Sequence, residues 1–123
     1  MSKQQILVVD DSCTARAMIG LSLQGHPYEV ITAENGQQGI RKALECLPDL
    51  ILMDVVMPDM TGFEAVAELR QSAATNAIPV IMLTAQTEME NIERGYTLGC
   101  CDYVLKPFVA QELVAKIQDV IGA

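Results

Sequence analysis

Five side chains in this 123-residue chain could act together on a phosphate: Asp10, Asp11, Asp54, Thr84 and Lys106. Each closes a short apolar run, at residues 6–9, 50–53, 80–83 and 103–105. Crowded carboxylates repel by about 4 kcal/mol per pair at roughly 4 Å and an effective dielectric near 20, so a hard divalent cation is their natural partner. Magnesium suits such a place, because it takes a few carboxylate or carbonyl oxygens, keeps several waters and leaves positions for phosphate. Lys106 adds a fixed cation and Thr84 a hydroxyl donor, and together these neutralise the charge that spreads over a phosphoryl group in transfer. Asp54 follows a buried run and precedes the loop 55–60, which makes it the expected nucleophile and the site of an acyl phosphate. Taken singly, each residue reads as structural, since Asp after a strand is a common N-cap. The convergence of five reverses that reading.

The convergence requires a fold that brings distant residues to one edge. The four apolar runs have the length and continuity of strands buried on both faces, and a weaker strand is expected at 29–33. Between them lie stripes of helical spacing, clearest in Ile40, Ala43, Leu44 and Leu47 and in Leu113, Ile117, Val120 and Ile121. Asn35 with Gln38, Thr61 with Glu64, and Thr87 with Glu90 have capping-box spacing, and Ser12 is expected to cap the first helix. Gly25 and Gly99 fall where helices should stop, and Pro48, Pro79 and Pro107 fall between periodic segments. Strand and helix thus alternate five times, which implies an α/β fold: a doubly wound, five-stranded parallel sheet between two helical layers. In strand order 2-1-3-4-5 the ligand crevice lies between strands 1 and 3, where all three aspartates would meet.

Eight basic against 16 acidic residues give a formal charge of -8, the wrong sign for gripping nucleic acid or an anionic membrane. No apolar run approaches the roughly 18 residues of a membrane span, and no signal-peptide pattern opens the chain. A soluble, cytoplasmic, single domain over 1–123 is expected. Cys13, Cys46, Cys100 and Cys101 lack metal or redox spacing and are read as buried, reduced packing residues. His26 and Arg16 are read as solvated.

The segments ILVVDDS (6–12), LILMDVVMPDMTG (50–62), PVIMLTA (79–85) and DYVLKPF (102–108) together resemble the signatures of the response-regulator receiver domain, in order and across essentially the whole chain. The resemblance implies a flavodoxin-like sandwich in which Asp10, Asp54 and the Val56 carbonyl hold Mg2+, with Asp11 assisting. It implies that Asp54 accepts phosphate from a sensor histidine kinase or phosphotransfer protein, that Thr84 and Lys106 contact the phosphoryl group, and that Tyr103 turns inward behind Thr84. A cis Lys106-Pro107 bond is expected. The output surface is expected over 88–98 and 102–120, where the segment holding Met89, Ile92 and Tyr96 has the weakest apolar stripe; it would control an effector protein or a fused output domain. Val56 and Gln86 stand at positions that vary in the family and affect phosphate lifetime. Cys100 stands where alanine is common, and Val109 replaces a polar residue that often opens the last helix. The chain is expected to be a phosphoacceptor switch that assists its own phosphorylation and dephosphorylation and is not otherwise an enzyme.

Two other classes fit the architecture. A flavin- or nucleotide-binding enzyme would need a glycine-rich phosphate loop after strand 1, where this chain has two aspartates. A constitutive docking module would have no use for the intact acidic, hydroxyl and lysine set.

Overall fold

The structure, a computed structural model, describes residues 3–85 and 102–122. Its elements run β1 (Gln4–Val9), α1 (Cys13–Leu23), β2 (Tyr28–Ala33), α2 (Gly36–Cys46), β3 (Leu50–Asp54), α3 (Gly62–Arg70), β4 (Val80–Ala85), β5 (Asp102–Lys106) and α4 (Ala110–Ile121). The expected helix between the fourth and fifth strands lies outside the described residues, with Thr87, Glu90, Gly99, Cys100 and Cys101. All strand pairs are parallel and the order is β2-β1-β3-β4-β5, as the βα alternation requires.

Strand alternation sorts the core into two halves. Leu7, Val9, Ile51, Met53, Val80, Met82 and Tyr103 meet Ala43 of α2 and Phe63, Ala65, Val66 and Leu69 of α3. Ile6, Val8, Leu50, Leu52, Ile81, Leu83 and Val104 meet Ile19 and Leu23 of α1 and Leu113, Val114 and Ile117 of α4. Both faces are covered, so the strands read as continuous apolar runs and not as alternating ones.

Local signals set the helix ends. Ser12 accepts from the Ala15 N–H at 3.2 Å, and Thr61 with Glu64 forms a complete capping box. The Asn35 pair is only half of one: Asn35 accepts from the Gln38 N–H at 2.8 Å, while the Gln38 side chain turns to the Glu34 N–H at 2.7 Å. Gly25 follows α1 at φ 86°, a left-handed conformation that suits glycine. Val109 precedes α4 with no side-chain cap, in keeping with its apolar character.

The stripe expected on α2 is displaced. Ala43 is buried and Ile40 half-buried, but Leu44 and Leu47 are about half exposed. Small residues are buried instead: Gly36 lies against Met60 of the β3–α3 loop, and Gly39 and Ala43 pack toward the sheet, where a Cβ at Gly39 would come within 2.7 Å of the Val9 side chain. Close approach of helix to strand thus outweighs the burial of two leucines. Cys13 and Cys46 are free and exposed, not buried as expected, since they lie in the first turn of α1 and the last of α2 on faces turned from the sheet. His26 is half-buried, its ring stacked on Tyr28.

Gly62 marks the tightest approach near the end of β3: its N–H donates to the Val55 carbonyl at 2.8 Å, and a Cβ there would run into the Asp54 carbonyl oxygen. Backbone cannot yield as a side chain can. Gly62→Ala is therefore expected to cost about 1–3 kcal/mol in urea denaturation. Gly36→Ala, which meets the flexible Met60 side chain, should cost less.

Candidate functional site

Register alone carries the acidic residues together. Val9 pairs with Met53, so the next residues, Asp10 and Asp54, leave neighbouring strands side by side. Asp54 pairs with Leu83, putting Thr84 one step further along β4, and Ala85 pairs with Lys106 of β5. The five residues predicted from sequence thus share the carboxyl edge of the sheet, around the point where strand order reverses.

The carboxylates of Asp10, Asp11 and Asp54 offer one oxygen each, all within 4.8 Å of one another. Asp10 is fully buried and Asp54 only 7% exposed, while Asp11 stands at the exposed rim. Lys106 reaches over both buried groups, its Nζ 2.9 Å from Asp10 Oδ2 and 3.3 Å from Asp54 Oδ1. Thr84 is 2% exposed beside them, and the Lys106-Pro107 peptide is cis. Tyr103 is buried on the same face of the sheet as Met82, its partner in register and two residues before Thr84. Val56 is the second residue of the β3–α3 loop, 64% exposed and with its N–H bonded to Asp54. Gln86 lies outside the described residues.

Charge at this edge is incompletely balanced. Among the described residues Lys106 is the one side chain ion-paired with the cluster, and it pairs with two of the three carboxylates, Asp10 and Asp54. Burial, and after it the Asp10 charge, pushes the Asp54 carboxyl up to about 6, although Lys106 and the Val56 N–H pull the other way. Burial pulls the Lys106 ammonium down, but the hydrogen bond to Asp10 and the charges of Asp54 and Asp10 outweigh it and leave it raised. A clustered, buried, undercompensated set of oxygens fits a hard dication that keeps some of its water.

Two neighbours escaped the sequence reading. Arg16 is not solvated: its side chain is 16% exposed, its Nη1 donates to the Asp10 carbonyl at 2.6 Å, and its Nη2 lies 3.6 Å from Glu34. Asp59 accepts from the N–H groups of Gly36 and Gln37, both at 2.9 Å, and so caps a helix distant in sequence. These donors outweigh the effect of burial and hold the Asp59 carboxyl below its usual value. The position of Arg16 one turn into α1, facing back toward Ser12, was an available signal; for Asp59 there was none, because its partner lies over 20 residues away.

The chain belongs to the response regulator receiver domain family, whose model matches residues 6–118. It is 40% identical over 121 residues to the phosphate regulon transcriptional regulatory protein PhoB of Pseudomonas aeruginosa, covering 98% of this chain and 53% of that protein. It is 38% identical to protein PilH of the same organism, covering 96% of this chain and 98% of that one. The chain spans about half the length of PhoB and of the transcriptional regulatory protein ResD of Bacillus subtilis. Among solved structures, chemotaxis protein CheY4 of Vibrio cholerae matches with a TM-score of 0.91 at 37% identity, over 97% of this chain and 99% of that one. The receiver domain of a Pseudomonas aeruginosa sensor histidine kinase, with a magnesium ion coordinated in its active-site cleft, matches at 0.89 and 33%, over 99% and 100%. Two-component phosphorelay signalling is therefore the setting of this chain. No described helix is long and apolar enough to cross a membrane.

The raised Asp54 carboxyl has a sign. With the folded-state value above that of an exposed aspartate, its contribution to stability is fully present below about pH 4 and lost as pH rises through about 6. Asp54→Asn, which removes the charge, should therefore stabilise the fold in EDTA at pH 7.5 by up to about 3 kcal/mol and change it little at pH 4. Urea denaturation at the two pH values checks this.

Proposed function

We propose that this domain is a switch whose Asp54 carboxylate takes a phosphoryl group from a phosphohistidine on a sensor kinase or phosphotransfer protein. The observation that carries the reading is the Lys106 ammonium bridging Asp10 and Asp54 at 2.9 and 3.3 Å within a three-carboxylate cluster. A structural salt bridge would need one carboxylate. The third, and the negative excess, suit a cation and a phosphate together.

Asp10, Asp54 and the Val56 carbonyl would hold Mg2+, with Asp11 assisting from the rim. The bound ion supplies charge neutralisation for the phosphoryl oxygens and screens the carboxylates from one another. An Asp54 oxygen attacks phosphorus in line, the P–N bond of the phosphohistidine breaks as the P–O bond forms, and the imidazole nitrogen leaves with the electron pair. Lys106 moves its contact to the new phosphoryl oxygens, and the Thr84 hydroxyl donates to another. Burial of Thr84, and the hydrogen bonds from Lys106 to Asp10 and Asp54, keep these donors in place before the phosphate arrives, so little reorganisation accompanies transfer. The protein is its own phosphoacceptor and turns over no separate substrate; hydrolysis of the acyl phosphate resets it.

Thr84 and Tyr103 would pass the new charge to the surface formed by 88–98, β5 and α4, biasing two conformations that already interconvert. Of this surface 88–98 lies outside the described residues. An effector protein, or an output domain in the same polypeptide, would read it from the cytoplasm.

A small phosphodonor with magnesium is expected to add one phosphoryl group to the intact mass of the wild type and none to Asp54→Asn. Asp10→Ala should lose both magnesium binding and the mass gain. Equal modification of wild type and Asp54→Asn would exclude Asp54 as acceptor.

Reset depends on a water held in line with phosphorus, and Val56, exposed and apolar beside Asp54, cannot orient one. Val56→Asn is expected to speed phosphate release at saturating magnesium while leaving transfer from the donor nearly unchanged. Gln86, with an amide, is the residue of this chain assigned to hold that water, so Gln86→Leu should slow release.

A further inference from the structure

Sheet order places β2 at the edge, separated from β3 by β1, so the loop after β2 has no direct strand contact with the loop after Asp54. Side chains nevertheless join them. Asp59, in the β3–α3 loop, reaches across to cap α2 through Gly36 N–H and Gln37 N–H, both at 2.9 Å. Gly36 leaves room for the Met60 side chain beside this contact, since a Cβ there would displace it. On the other side, Glu34 faces Arg16 at 3.6 Å, and Arg16 holds the Asp10 carbonyl at 2.6 Å. Gln38 closes the loop on itself by accepting from the Glu34 N–H at 2.7 Å.

We infer that residues 34–38 form a bracket joining the two loops that carry the acidic cluster, with Arg16 and Asp59 as positioning residues for the cation. The inference rests on the reading of Asp10, Asp11 and Asp54 as a cation site. Neither Arg16 nor Asp59 is among the clustered oxygens, and Arg16 bonds a backbone carbonyl, so their action is on geometry. Three carboxylates within 4.8 Å push apart, and the loops bearing Asp10 and Asp54 would spread under that repulsion unless something fastens them. Lys106 fastens them from the β5 side; the bracket does so from the β2 side. The Asp10 turn is thereby held at four points: its N–H by the Ala33 carbonyl at 3.1 Å, its carbonyl by Arg16, and its two carboxylate oxygens by the Ser12 N–H at 3.0 Å and by Lys106. Partners that orient metal-holding groups from behind typically affect affinity by about 10–100-fold.

Charge and positioning make opposite predictions for Arg16. Removing a cation beside an acidic site should by Coulomb attraction alone tighten a dication, whereas loss of the bracket should loosen it. Magnesium is titrated calorimetrically into wild type, Arg16→Gln, Asp59→Ala and the double variant, each first shown to be folded by urea denaturation in EDTA; Arg16→Lys, which keeps one donor, serves if Arg16→Gln does not fold. The expected result is a dissociation constant about 10-fold weaker in each single variant. In the double variant the loss should be well below the product of the two, because either change opens the same bracket. Unchanged or tighter binding in the Arg16 variant, or multiplicative losses in the double variant, would overturn the bracket. Absence of magnesium binding in the wild type would instead overturn the cation-site reading beneath it, so the two failures are distinct.

Discussion

Like charges held close together at the carboxyl edge of a parallel sheet are the constraint on which this domain is built. Asp10 and Asp54 follow Val9 and Met53, the last pair that joins β1 to β3, and burial denies them the water that would screen them. The remedy visible among the described residues is Lys106, from the far edge of the sheet, bonded to both. One ammonium against three carboxylates is an incomplete remedy, and the deficit supports the cation and phosphate proposed for this edge. A site with full internal compensation would be more stable and would have no reason to bind either.

The surrounding structure reads as a response to that strain. Two core halves cover both faces of the sheet, so the strand ends cannot shift without disturbing Phe63 and Leu69 on one side or Ile19 and Leu113 on the other. Gly62 lets the chain turn back against the Asp54 carbonyl, and Gly39 lets α2 press on Val9, immediately before Asp10. Glycines here give close backbone approach, at the cost of leaving Leu44 and Leu47 outside the core. The loop after β2, which supplies none of the clustered oxygens, ties the acidic loops to each other through Arg16 and Asp59.

Family membership and geometry bear on different questions. The match over residues 6–118 establishes a receiver domain in two-component signalling. Relatives of about twice this length and one of nearly equal length both align over almost all of this chain, so the same domain serves within longer regulators and by itself. What this chain's own residues add is the distribution of charge and the exposed, apolar Val56 close to Asp54, on which the proposed handling of phosphate rests.

Much was legible in the sequence because the signals were local and periodic. Four continuous apolar runs with intervening helical stripes and N-cap residues are sufficient for a doubly wound parallel sheet, and the polar residue closing each run marks the edge where chemistry sits. Ser12 and the Thr61–Glu64 box followed from spacing within a single turn. Contacts between elements far apart in sequence leave no such trace. Spacing could not say that α2 turns Gly39 and Ala43 to the sheet in place of its leucines, that Cys13 and Cys46 face outward, or that Gln38 bonds Glu34 instead of completing a box. Nor could it say that Asp59 caps a helix more than 20 residues upstream. Composition and periodicity decide which elements form and which strand ends are polar, since those depend on the backbone and its nearest neighbours. Tertiary packing alone decided which face of each helix is buried and which side chains fasten the acidic loops, because those depend on how closely two separately formed elements can approach.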